Sequence, residues 1–130
     1  MKFAVAFFIV TFTLSCHYDG IITEPIFGKW SWAKSEGGFA GGIYTPQNVG
    51  YTVTLILTPD LNYQRLKNNV VTSQGKFSLA KKSDPNHIAG YYIRFDDSSE
   101  MLVSQSTINS LVLSEGCCDG YTYYYQKVNN

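Results

Sequence analysis

"YTVTLILT", residues 51–58, alternates on a period of two: Tyr51, Val53, Leu55 and Leu57 fall on one face, Thr52, Thr54, Ile56 and Thr58 on the other. Successive strand side chains point to opposite faces, and β-branched residues suit a pleated surface. The stretch therefore predicts a half-buried β-strand, and its surroundings repeat the signal. Upstream, "GKWSWAKS" (28–35) puts Trp30, Trp32 and Lys34 on one face and Lys29, Ser31 and Ala33 on the other. Downstream, Pro59-Asp60 turns the chain into "LNYQRLK" (61–67), a more polar strand, and Asn68-Asn69 gives a tight connection into "VVTSQGKFSLA" (70–80). Gly75 inside that strand predicts a bulge or bend. After the loop "KKSDPNHIAG" (81–90) come "YYIRFDD", "MLVSQS", "SLVLS" and "GYTYYYQKV".

No window of about 11–18 residues carries a helical repeat. Eight short strands joined by mostly short loops predict an all-β fold, a small antiparallel up-and-down eight-stranded barrel. An immunoglobulin-like sandwich is the rival architecture. It carries a core Trp between two well-spaced cysteines, which this chain lacks.

The first segment reads differently. "MKFAVAFFIVTFTLSC" has a positive start at Lys2, an apolar run to about Leu14, and then Ser15 and Cys16. That is the layout of a secretory signal, and it is shorter than the ~20 apolar residues of a membrane span. "TLSC" resembles the lipobox of bacterial lipoproteins. The resemblance implies that residues 1–15 are removed and that Cys16 carries acyl chains such as palmitate, anchoring the protein to a membrane. Several chains, at ~0.8 kcal/mol per buried methylene, hold such a protein firmly. Residues 16–26 then form the lipidated N-terminus and tether, and residues 27–130 the barrel domain.

Ten basic and ten acidic side chains leave the chain without net charge. There is no basic stripe, which argues against a nucleic-acid partner.

Glycine, one residue and tryptophan at the first strand, "FGKW" (27–30), resembles the opening motif of the lipocalins. The resemblance implies that Trp30 closes the base of the barrel and that a basic residue from the last strand stacks on it. Lys127 stands in that place, where the family usually has Arg. A longer resemblance, to small lipocalin-like (calycin-type) lipoproteins of Bacteroidota, runs through "GKWSWAKSEGGFAGGIYTP", "TLILTPDLNYQRLKNN", and a final L-x-L followed by "DGYTYYYQKV". It covers most of residues 27–128 and implies a fold and an envelope location, with the outer membrane as the expected site. It supplies no activity.

Chemistry-bearing residues are few. Cys117-Cys118 would bond to each other only through a strained ring, and Glu115 and Asp119 beside them would raise a thiol pKa. They read as a turn. Only His17 and His87 could join them as metal ligands, so no metal and no cofactor is expected. Asp96, Asp97 and Glu100 have the residue types of a glycosidase pair, yet "FDDSSEM" has the composition of a hairpin turn. No catalytic constellation emerges, and the chain reads as a non-enzyme.

The aromatics carry the better hint. Trp30, Trp32, Tyr51, Phe77, Tyr91, Tyr123 and Tyr125 occupy positions that could line one interior. Eight-stranded barrels are either filled by side chains or hold one small ligand. With Trp30 at the base, Trp32 and Lys34 point inward progressively nearer the mouth. Antiparallel to them, Tyr125 is low, Tyr123 central and Tyr121 near the opening. The expected cavity residues are Trp32, Leu55, Phe77, Tyr123 and Tyr125, with Phe39 and Tyr44 of the glycine-rich loop at the rim. The reading is an exported, envelope-anchored lipoprotein binding a small apolar or amphipathic ligand. The alternative is a filled barrel acting as a protein- or glycan-interaction or inhibitor module.

Overall fold

The structure is a computed structural model that describes residues 21–22, 26–83, 85, 89–116 and 119–129. The elements in order are β1 (Ile21–Ile22), β2 (Gly28–Gly37), β3 (Gly42–Tyr44), the one-turn helix α1 (Pro46–Val49), β4 (Val53–Leu57), β5 (Asn62–Lys67), β6 (Val70–Lys82), β7 (Gly90–Phe95), β8 (Glu100–Ser106), β9 (Ser110–Ser114) and β10 (Tyr121–Lys127). Eight of them, β2 and β4 to β10, form a closed antiparallel barrel. Each pairs with its neighbours in sequence, and β10 returns to β2 to close the ring. β1 runs parallel to β8, and β3 folds back on β2 as a hairpin.

Local chemistry explains the connections. Asn68 and Asn69 both have positive φ, 48° and 64°, which gives the hairpin turn whose twist matches paired strands. Within the glycine-rich segment, which the sequence reading treats as loop, Thr45 caps α1. Its side chain accepts from Asn48 N, and Asn48 Oδ1 accepts from Thr45 N. Pro46 occupies the first turn, where its missing N–H costs nothing.

The closed end is built on Trp30. Its ring has no exposed surface, and Nε1 donates to Ile26 O at 2.8 Å. Lys127 Nζ lies 4.3 Å from the ring centroid and donates to Phe27 O at 2.5 Å. Gly28 makes this possible: its φ is +136°, and a Cβ there would overlap the Lys127 ammonium. Above Trp30 sits a filled core that includes Leu55, Leu57, Tyr63, Phe95, Ile93 and Leu113.

Two irregularities decide what faces inward. In β2, Trp32 lies opposite Tyr125 but Lys34 lies opposite Tyr124, so Ala33 has no partner on β10. Such an extra residue resets the alternation. Ser35, 5 % exposed, therefore takes the inward place expected for Lys34. Lys34 turns outward, pairs with Glu36 and stands 4.5 Å from the Tyr124 ring. In β6, residues up to Lys76 pair with β5 and those from Phe77 pair with β7. Gly75 sits just before the handover, where a Cβ would collide with the Asp96 carboxylate. That carboxylate accepts from Tyr63 Oη at 3.0 Å and Lys76 N at 2.9 Å, tying three strands together.

Replacing Gly28 by Ala imposes backbone strain of about 1–3 kcal/mol and displaces Lys127. Thermal unfolding of Gly28→Ala should show a larger loss than Gly41→Ala, which also has positive φ but open space around it. In a Lys127→Ala background the difference should shrink; an undiminished difference would show that Lys127 is not what Gly28 accommodates.

Candidate functional site

The upper half of the barrel is open. A cavity of about 520 Å³ lies at the end where β2 finishes and β10 begins. Trp32 and Ser35 of β2 form one side, and the segment from β3 to β4 adds Tyr44, Val49, Tyr51 and Val53. Arg65 of β5, then Asp97, Ser99 and Met101 around the β7–β8 turn, form the opposite side. Tyr121, Tyr123 and Tyr125 share the inward face of β10.

Most of this wall is aromatic. The Trp32 and Tyr51 rings are stacked, with centroids 6.1 Å apart and planes within 19° of parallel. Lys67 Nζ stands 4.0 Å from the Tyr51 ring, a favourable cation–π distance. At the mouth, Tyr44 meets Tyr121 edge-on at 5.9 Å.

Arg65 separates the cavity from the core beneath it. Its guanidinium carbon lies 4.2 Å from the centroid of the Phe95 ring and 5.1 Å from that of Tyr63, so it covers two core aromatics. Nη1 donates to Asp97 Oδ2 at 2.5 Å and Nη2 to Ser99 Oγ at 3.2 Å. Asp97 also accepts from Ser99 N at 2.9 Å and Ser99 Oγ at 2.5 Å. The Ser99 bonds first, and then Arg65, hold the Asp97 carboxyl well below its ordinary value, at about 2.

The phenols divide by partner. Tyr123 Oη donates to Glu115 Oε1 at 2.8 Å, and burial together with that carboxylate pushes its pKa upward. Tyr125 is pushed up to about 12 by burial, opposed by the charge of Arg65. Both stay protonated near neutrality and can only be donors or neutral acceptors. Trp32 Nε1 is buried and has no hydrogen-bond partner among the described residues.

The expected cavity residues therefore separate by height. Trp32, Tyr123 and Tyr125 stand in the wall. Leu55 and Phe77 do not: both belong to the filled core below Arg65, where Phe77 packs on Phe95 at 6.5 Å. Tyr44 reaches the mouth, but Phe39 is 96 % exposed, because it lies at the tip of the β2–β3 hairpin. Tyr91 is also exposed, near the far end of the β6–β7 pair. Trp30 and Lys127 meet at the closed end. Cys16, His17, His87, Cys117 and Cys118 lie outside the described residues.

Sequence reasoning missed Arg65, Asp97 and Ser99 as one group. The signal available was slight: Arg65 shares the face of Tyr63, and "DDSS" is a turn able to present a carboxylate. The acids of that turn are each engaged separately, Asp96 by Tyr63 and Lys76 N, Asp97 by Arg65, and Glu100 by Lys82 at 2.5 Å. Among the described residues no three His, Cys, Asp or Glu side chains cluster as metal ligands. No family model, curated protein or solved structure matches the chain.

Because the Asp97 pKa is lowered on folding, its stabilisation is present above the unfolded-state value of about 3.9 and is lost as pH falls toward 2. Asp97→Asn should cost about 1 kcal/mol at pH 7, after allowing for solvent screening of a side chain more than a third exposed. Unfolding curves of the two proteins should converge as the pH approaches 2. A gap that persists there would remove the ion pair and the Ser99 bonds as its cause.

Proposed function

We propose that the protein is an exported, lipid-anchored binding module of the cell envelope that holds a small amphipathic molecule in the upper half of its barrel. The observation that carries the reading is the cavity itself. A space of about 520 Å³ falls inside the range of ~300–1,000 Å³ typical of small-molecule sites. It is walled by aromatic rings with a few placed polar groups, the composition such sites have. The signal-like segment ending in Cys16 supports the anchored location.

The structure also bears on the choice between a filled barrel and a hollow one. Below Arg65 the barrel is packed with side chains, and above it the interior is open to solvent. A binding module needs only the second half. The alternative, recognition of a protein or glycan through the loops, draws on Phe39 and Ile43, which are 96 % and 59 % exposed around the β2–β3 hairpin.

Two measurements test the proposal. Native mass spectrometry of protein extracted gently from membranes should show a small co-purifying mass, and Ser35→Phe, which places a ring in the cavity wall, should remove it while the barrel still melts cooperatively. Absence of any added mass, together with failure of amphipathic dyes to enter the cavity, would sink the binding reading. Labelling cells with radioactive palmitate should mark the protein, and Cys16→Ser should abolish the label and release the chain from the membrane fraction.

A further inference from the structure

Exposed apolar side chains gather at one end of the barrel. Phe39, Ile43 and Tyr44 belong to the β2–β3 hairpin at the mouth, and Val70 and Val71 open β6 just past the Asn68-Asn69 turn. That turn is tied to the mouth segment: Asn68 N donates to Thr52 O at 3.0 Å, and Thr52 N donates to Asn68 Oδ1 at 3.0 Å. The apolar groups therefore occupy one arc of the rim. At the closed end, Ile108 and Leu61 each stand on a turn between polar neighbours, Thr107 and Asn109 for one, Asp60 and Asn62 for the other. Single exposed apolar residues are ordinary, whereas a group of them marks a contact surface.

The hairpin is built to present its tip. Gly41 N donates to Gly38 O at 3.0 Å, which puts Phe39 and Ala40 at the corners of a tight turn. A Cβ at Gly37 would collide with Gly120 O, and one at Gly38 with the Tyr121 ring. Glycine at both positions lets the hairpin lie directly on β10 while Phe39 projects into solvent. Charge adds little to this surface. Lys34 and Arg65 are paired to Glu36 and Asp97, Lys67 lies over the Tyr51 ring, and Glu115 is acidic. Such a rim suits an apolar partner better than an anionic one.

The chain before the barrel approaches from the same end. β8 runs from the mouth, where Leu102 lies opposite Ser114, to the closed end, where Ser106 lies opposite Leu111. β1 is parallel to β8, with Ile21 opposite Gln105, so the chain enters β1 travelling away from the mouth. The interval from Cys16 to Ile21 equals that from Glu100 to Gln105 and spans at most about 18 Å. We infer that the mouth faces the membrane to which Cys16 is anchored, with Phe39 and Ile43 inserted among the acyl chains, so that the cavity opens onto the bilayer. This rests on the anchored binding role proposed above and adds the surface and the route: a ligand passes between membrane and cavity without crossing water. Tethering keeps the rim at high effective concentration against the membrane, so a few side chains suffice to orient the barrel.

Tryptophan quenching in vesicles tests the orientation. The acylated protein is reconstituted into phosphatidylcholine vesicles whose lipids carry bromine near the headgroup end of the acyl chains. Phe39→Trp and Ile108→Trp are compared with the unsubstituted protein, which accounts for Trp30 and Trp32. Phe39→Trp should lie about 5–10 Å into the interface and lose about half of its added emission, with a blue shift, whereas Ile108→Trp should emit as a water-exposed indole and stay unquenched. High salt should leave the quenching unchanged; its loss there would overturn the apolar basis of the contact. Quenching at Ile108→Trp alone, or equally at both positions, would overturn the orientation. Quenching at neither would overturn insertion and leave the hairpin to a protein or glycan partner. A protein that fails to float with the vesicles would overturn the anchored role, and the orientation with it.

Discussion

One contact holds the geometry together: the Lys127 ammonium over the buried face of Trp30. A cation above an indole is favourable by electrostatics alone, by about 0.5–2 kcal/mol depending on desolvation. Here it does more, because the same ammonium donates to Phe27 O, and the indole below donates to Ile26 O. The two ends of the barrel wall, β2 and β10, are thereby pinned at one register. That register sets Tyr125 against Trp32 and Tyr123 against Ser35 higher up. The composition of the cavity wall thus follows from a contact at the opposite end of the barrel.

Arg65 then divides the interior. Its guanidinium stands over the Phe95 ring, so an arginine occupies a level where an apolar side chain would have extended the core. Arginine tolerates this because its plane can stack on a ring while its edge keeps hydrogen bonds, here to Asp97 and Ser99. The consequence is a barrel whose stability and recognition reside in different halves. The packed half needs close complementarity, whereas the wall above it can exchange rings and hydroxyls without opening a void in the core.

The strands were largely legible in the sequence, and the site only in part. Alternation in residues 51–58 and its repeats mark each barrel strand, because a strand half-exposed to water must sort its side chains by face. The inward face of β10 was readable for the same reason. The bulge at Ala33 was not: nothing local distinguishes it, and it exists only in the pairing with β10. It is what exchanged Lys34 for Ser35. Leu55 and Phe77 were correctly seen as apolar and inward, but height along the barrel depends on stagger between strands, which alternation does not carry. Arg65 and Asp97 stand 32 residues apart, so their meeting is a product of closure. Cys117 and Cys118, the most conspicuous chemistry in the chain, lie outside the described residues.

Closure has a temporal side as well. Seven of the eight barrel seams join strands adjacent along the chain and can form one after another as local hairpins. The eighth, β2 with β10, brings together residues as far apart as Phe27 and Lys127, whose separation is 100. Loop-closure entropy makes that seam the slowest to find its partner. Until it forms, the nascent sheet is an open curl with two unpaired edges, both rich in aromatic side chains, and exposed edges of that kind recruit other chains. The vulnerable moment in the life of this barrel is therefore the interval before its first and last strands meet. Dilution and fast local turns, rather than a stronger core, are what shorten the exposure.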